Sequence, residues 1–256
     1  MSDEHPSAVA QASKPVPDGA QAWKPMLPET FPVRETAGML LAVVLLWLVY
    51  YHGDPHTWPQ SWLRVIGPDW PQWVEHWGRH CWFALNFVAL FLVPAAVIKL
   101  VWKERLRDYG LGLGEPRVWG RYFLLFAAVM LPVVIWSSRM PSLREFYPII
   151  RWAGDSPSNF AIAAAGWLVY FFAWEWFFRG FLLNLFARRY GAIAIVVQAV
   201  PFVLMHFPKP EVEAFASIIA GMALGYMAYR GKSFLGAWAI HWLVAISVDL
   251  LVVLSR

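Results

Sequence analysis

A single cysteine, Cys81, occurs in the whole chain, which excludes an internal disulfide and any metal cluster built from cysteine thiolates. At the head of an apolar run it is placed for packing rather than for reaction. Charge is scarce too: Asp, Glu, Lys and Arg make up 15% of the residues, against roughly 25% in an average soluble domain. The alternate glycines Gly110, Gly112 and Gly114 follow no strand pattern, so they are no nucleotide fingerprint. A net charge of +4, with its basic residues in short loops, gives no footprint for nucleic acid. The chain has no His-Glu-x-x-His helix and no repeated half-sequence of the kind seen in inverted-repeat transporters. What fills it is apolar, with 59% hydrophobic and 17% aromatic residues. Those proportions predict an all-α, polytopic integral membrane bundle.

Residues 1–35 carry Pro6, Pro15, Pro17, Pro25, Pro28 and Pro32 among scattered charges and show no periodic apolar face, which predicts a disordered tail. The first apolar run begins near Thr36, too late for a secretory signal, and reads as a span. Residues 36–256 are then the transmembrane domain. With about 20 apolar residues needed per crossing, seven spans are expected: Thr36 to Tyr51, His80 to Trp102, Arg121 to Ser137, Phe160 to Arg179, Ala192 to His206, Glu213 to Tyr229 and Ser233 to Leu254. The stretch Gly180 to Tyr190 should prolong the fourth. The loop between the first two spans holds Trp58, Trp62, Trp70, Trp73 and Trp77, and tryptophan at the headgroup level implies that it lies on the membrane surface. Lysine and arginine favour one set of loops, among them Lys103, Arg105, Arg107, Arg188, Arg189, Arg230 and Lys232. That bias predicts a cytoplasmic N-terminus and, with seven spans, an outside C-terminus in a bacterial-type cell membrane.

Among the apolar runs, only the fourth pairs an acid with a base. Glu175 and Arg179 stand at i and i+4 with the acid first, the favourable orientation on one helix face. An ionisable residue inside a span usually faces the bundle interior or a wet cavity and marks a functional site; the bland reading is an Arg179 that snorkels to the interface with Glu175 neutralising it. His206 ends the fifth run and His241 sits in the seventh. Glu175 and His206 lie equally far on either side of the Tyr190–Gly191 turn, so an antiparallel helix pair holds them at similar height. Glu213 and His206 flank the turn Pro208-Lys209-Pro210 and offer a supporting contact, unless Glu213 is only a helix-start acid. Asp249, deep in the seventh run, needs a partner. The expected partner is a ring N–H of His206, or Glu213 through water. Gly221-x-x-x-Gly225 permits close helix packing within or between chains, leaving the oligomeric state open.

Glu-x-x-x-Arg on one span, Phe-x-x-x-His on the next and a third His on a later one resemble the CAAX protease and bacteriocin-processing enzyme family, also called the Abi family, of intramembrane proteases. The likeness covers about Phe160 to Leu254. By the resemblance, Glu175 and Arg179 are the second Glu and the Arg of that family's Glu-Glu-x-x-x-Arg, His206 is its second motif and His241 its third. Two positions depart from the pattern. The family's first Glu, held to activate the attacking water, is Trp174 here, and the Asn held to stabilise the oxyanion is Ala245. The resemblance implies an endopeptidase acting on a hydrophobic or lipidated peptide or protein among membrane lipids. Glu175 is then the base, and His206 and His241 orient water and polarise the carbonyl. A zinc variant would use His206, His241 and Glu175; otherwise no cofactor is implied. Two other readings stay open, a proteolytically inactive scaffold that binds a lipid or a helix, and a proton-coupled transporter.

Overall fold

Apolar residues follow one another with few charges for long enough that helices form wherever the chain is not broken by Pro, Gly or a polar turn. In the computed structural model the described residues are 32–256, and no strand forms among them. Residues 1–31 of the expected tail lie outside the described residues. Six helical stretches are long and apolar enough to cross a membrane by length and composition. They are α1 (Val33–His52), α2 (Trp70–Val101), α3 (Pro116–Ser137), the long stretch Pro157–Leu204, α7 (Glu211–Gly231) and α8 (Leu235–Leu254). The long stretch comprises α4 (Pro157–Glu175), a wider-wound segment Trp176–Leu182, α5 (Leu183–Tyr190) and α6 (Ala194–Leu204). Residues Arg34–Arg256 form one compact unit.

The count of six takes Pro157–Leu204 as one stretch although it reverses at Gly191, so it accords with about seven helices, and the expected fifth is the short one. The expected fifth span, Ala192 to His206, contributes only the 11-residue α6, about 16 Å at 1.5 Å per residue, half of a hydrocarbon core. Pro208 and Pro210 follow closely and the chain leaves the helix at Met205. The second span also starts earlier than expected, at Trp70, because Asp69 and Pro71 open a helix there.

Ser156 caps α4, its side chain accepting from the Asn159 amide at 3.1 Å with Pro157 at the first helical position. The helix then runs past Arg179 as expected, but Trp176–Leu182 is wound as a π-helix. Such winding leaves backbone carbonyls in need of donors. Asn184 supplies one, its amide donating to Gly180 O at 2.7 Å. Gly191, at φ 58° and ψ −134°, turns the chain after α5 in a conformation that side chains resist. Past it, α6 runs antiparallel to α4 and α5: the Phe178 and Phe202 rings lie 5.4 Å apart and the Trp174 and His206 rings 6.2 Å.

The glycine pair of α7 is used within the chain. A Cβ at Gly221 would sit 3.3 Å from Ala199 Cβ, and one at Gly225 would collide with Gln198 Nε2. The close approach lets the buried Gln198 donate to Gly221 O at 2.9 Å, joining α6 to α7.

At the end of the bundle where α1 starts and α5 ends, Glu104 gathers three elements. Arg34 donates to it at 2.7 Å, Arg188 at 2.8 Å and the Tyr109 hydroxyl at 2.8 Å. Arg34 also bonds the Tyr109 hydroxyl, lies 4.7 Å above the Trp102 ring, and Arg188 lies 4.7 Å above Tyr109. The Arg34 guanidinium, helped by Tyr109 and Arg188, holds the Glu104 carboxyl down at about 2, and burial pushes the Tyr109 hydroxyl up to about 12. A depressed carboxyl stabilises the fold above its ordinary range, and that stability is lost as pH falls from about 4.5 toward 2. Glu104→Gln is therefore expected to cost about 2 kcal/mol at neutral pH. It should also flatten the acid loss that the parent protein shows, which denaturant melts of detergent-solubilised protein at neutral pH and at about pH 3 will check.

Candidate active site

Glu175 and Arg179 are both fully buried, with side-chain exposure of 0%. An uncompensated charge at that depth is not tolerated, so each must find partners. Arg179 Nη1 donates to Glu175 Oε1 at 3.2 Å and lies 3.2 Å from Oε2. Its guanidinium carbon stands 3.9 Å from the centre of the Phe202 ring, a cation–π contact across from α6. Guanidinium keeps its charge in proteins, so the carboxylate beside it is held ionised. Snorkelling is ruled out by this burial.

His241 Nδ1 meets Glu175 Oε1 at 2.5 Å. Across from it, His206 Nδ1 donates to Phe202 O at 2.8 Å. A carbonyl can only accept, so His206 carries its proton on Nδ1 and, when neutral, presents a bare Nε2. An ionised carboxylate sets the same orientation for His241. The two imidazoles are nearly parallel, 27° apart in plane, with centroids 6.4 Å apart. Phe171 packs on His241 at 4.1 Å and Trp174 meets His206 edge-on. Four expected site residues, from three segments of chain, are thus brought together.

Several polar atoms in this cluster are buried yet make no hydrogen bond: Glu175 Oε2, Arg179 Nε and Nη2, and Trp174 Nε1. One acceptor and three donors left without a hydrogen bond in a cluster that holds two histidines mark a place made for something polar.

Residues 156–247 match the type II CAAX prenyl endopeptidase Rce1-like family. The match spans α4 to most of α8, holds Glu175, Arg179, His206, Glu213 and His241, and leaves α1, α2 and α3 outside it. It agrees with the resemblance that the motifs carried. No curated protein and no solved structure matches the chain. Trp174, where the sequence resemblance expects the first Glu, is a buried ring stacked on Tyr170 at 5.5 Å and against Phe178 at 5.0 Å.

The two supporting acids are placed otherwise than expected. Asp249 does face inward and is 3% exposed, but its Oδ2 accepts from Trp167 Nε1 at 3.2 Å and not from His206. The depth argument failed because His206 satisfies its own Nδ1 one turn back along the chain. Trp167 and Asp249 each lie two helical turns from Glu175 and His241, so they form a separate layer. Glu213 accepts from the Tyr147 hydroxyl at 2.6 Å and pairs with Lys209 at 3.3 Å. It has no hydrogen bond to His206 or Asp249 among the described residues. Burial, with the Glu213 carboxylate beside it, pushes the Tyr147 hydroxyl well above its ordinary value. Among the described residues no three His, Cys, Asp or Glu side chains converge as ligands for a metal ion.

Sequence reasoning did not single out Phe202 as more than a motif letter, nor Trp167. The only signal for Phe202 was its place one turn before His206. Because Glu175 and Arg179 neutralise each other in a dry setting, either Glu175→Ala or Arg179→Ala should cost about 3 to 5 kcal/mol by leaving a buried charge alone. The double variant should cost clearly less than the two together, as unfolding of all four proteins in one detergent will measure.

Proposed function

We propose that the chain is an intramembrane endopeptidase that hydrolyses a peptide bond with water activated by Glu175, and that its substrate is a prenylated or otherwise lipidated protein. The observation that carries this reading is the fully buried Glu175 Oε2, which makes no hydrogen bond, beside two histidines whose Nδ1 atoms are engaged and whose Nε2 atoms have no hydrogen bond among the described residues. The family match and the lipid setting implied by the apolar helices support the coarser class.

In this mechanism a water donates to Glu175 Oε2 and is oriented by Nε2 of His206 or His241. Glu175 takes the proton as oxygen attacks the carbonyl carbon. Arg179 keeps the carboxylate ionised beforehand. Negative charge then develops on the former carbonyl oxygen, and the donors available to it are Arg179 Nε and Nη2 and the indole Nε1 of Trp174. These would take over from the amide that Ala245 cannot supply. The proton passes from Glu175 to the leaving nitrogen, and the products are a carboxylate and an amine. His241, at 17% side-chain exposure, is the member of the set nearest an opening and would meet the substrate first. The loop charges support a cytoplasmic N-terminus, as in a bacterial-type cell membrane.

One observation favours a second reading, an inactive member that binds a lipid or a helix: the Trp174 ring fills the place where the family's water-activating Glu would be. Incubating purified chain in lipid with farnesylated and unmodified copies of one peptide separates the two. Cleavage that falls by at least about 100-fold in Glu175→Gln, measured below the variant's lowered melting point where it is still folded, is the expected result. A parent protein that binds the farnesylated peptide without cutting it would establish the inactive reading.

A further inference from the structure

The segment between α1 and α2, with the first turns of α2, forms an open recess of about 560 Å³, whose lining includes His56, Trp58, Gln60, Trp70, Val74 and Glu75. That volume suits a small-molecule site. Its wall is held from behind. Asp54 accepts from the His56 amide at 3.0 Å, from His56 Nδ1 at 2.7 Å and from Arg79 at 2.9 Å. Trp58 Nε1 donates to His52 O at 2.7 Å. The recess is therefore built before any ligand arrives.

Its charge is uneven. Glu75 lies on α2 four residues before Arg79, the spacing at which an acid and a base on a helix ordinarily pair. Arg79 turns away instead, to Asp54 and over the Trp82 ring at 5.7 Å. Glu75 is left exposed and without an ion-pair partner among the described residues, on the wall of a cavity that two indoles also line. A carboxylate beside tryptophan rings is the chemistry that recognises an organic ammonium, through charge attraction and cation–π contact. An anion would meet the unpaired carboxylate and be repelled. The cavity also lies where α1 ends at His52 and α2 begins at Trp70, the ends of two membrane-length helices, and so at the level where headgroups and tryptophans gather.

We propose that this recess binds the ammonium group of a zwitterionic phospholipid headgroup, of the ethanolamine or choline type. The site is separate from Glu175 and its histidines and does not depend on their chemistry. The test uses the full chain purified in detergent, with phosphatidylethanolamine and phosphatidylglycerol of identical acyl chains, and native mass spectrometry to count bound lipid. The expected result is preferential retention of phosphatidylethanolamine, reduced about fivefold by Glu75→Gln. Glu75→Lys should turn the preference toward phosphatidylglycerol. Because Glu75 is exposed, both variants should keep the parent's helical melt. Equal retention of the two lipids by the parent, or undiminished phosphatidylethanolamine binding in Glu75→Gln, would overturn the proposal. Displacement of the lipid by free ethanolamine at millimolar concentration would also overturn it, by assigning the recess to a soluble ammonium.

Discussion

A carboxylate and a guanidinium at zero exposure inside an apolar bundle set the terms for everything around them. Neither charge is bearable alone there. Arg179 cannot shed its proton, so Glu175 must remain an anion, and the anion in turn needs donors. The bundle meets these needs from three directions: the end of α4 and the π-wound segment after it supply the pair itself, α6 brings the Phe202 ring over the guanidinium, and α8 brings His241 Nδ1 to the carboxylate. The bends that allow this are local ones. The π-wound turn through Arg179 is stitched by Asn184, and the reversal at Gly191 lays α6 back along α4.

Much of this was legible in the chain because spacing along helices is a geometric quantity. Glu175 and Arg179 stand one turn apart, and Glu175 and His206 stand equally far on either side of the Tyr190–Gly191 turn, so the ion pair and the similar height of Trp174 and His206 followed from helix rise alone. Rotation about the helix axis is not fixed by such counting. Asp249 was expected at the right depth and facing inward, yet its partner is Trp167, because the orientation of α8 against α4 depends on packing among many side chains. His206 could not be assigned its bond to Phe202 O from spacing between helices, since that bond is within its own turn. The length of α6 was misjudged for a different reason. Hydropathy carries the run to His206, whereas the prolines beyond it and the turn at Met205 end the helix early.

The two departures from the motifs of the sequence resemblance have one structural expression between them. Trp174 removes a carboxylate and adds a buried indole N–H without a partner; Ala245 removes an amide donor. In the proposed mechanism, the work of the base falls on Glu175 alone, and donation to the oxyanion passes to the guanidinium and the indole. The energetic logic is consistent: the atoms that would serve the reaction are the ones the resting fold leaves without hydrogen bonds, a cost ordinarily avoided in buried sites.

The account depends most on Glu175 and Phe202 O fixing both imidazoles with the proton at Nδ1, so that both Nε2 atoms are free to act. Nitrogen-15 NMR of histidine-labelled protein, assigned with His206→Gln and His241→Gln, reads this directly. It should show Nδ1 protonated in both rings and, for neutral His206, a bare Nε2. His241 found as the neutral ring protonated at Nε2, with Nδ1 bare, would contradict the account.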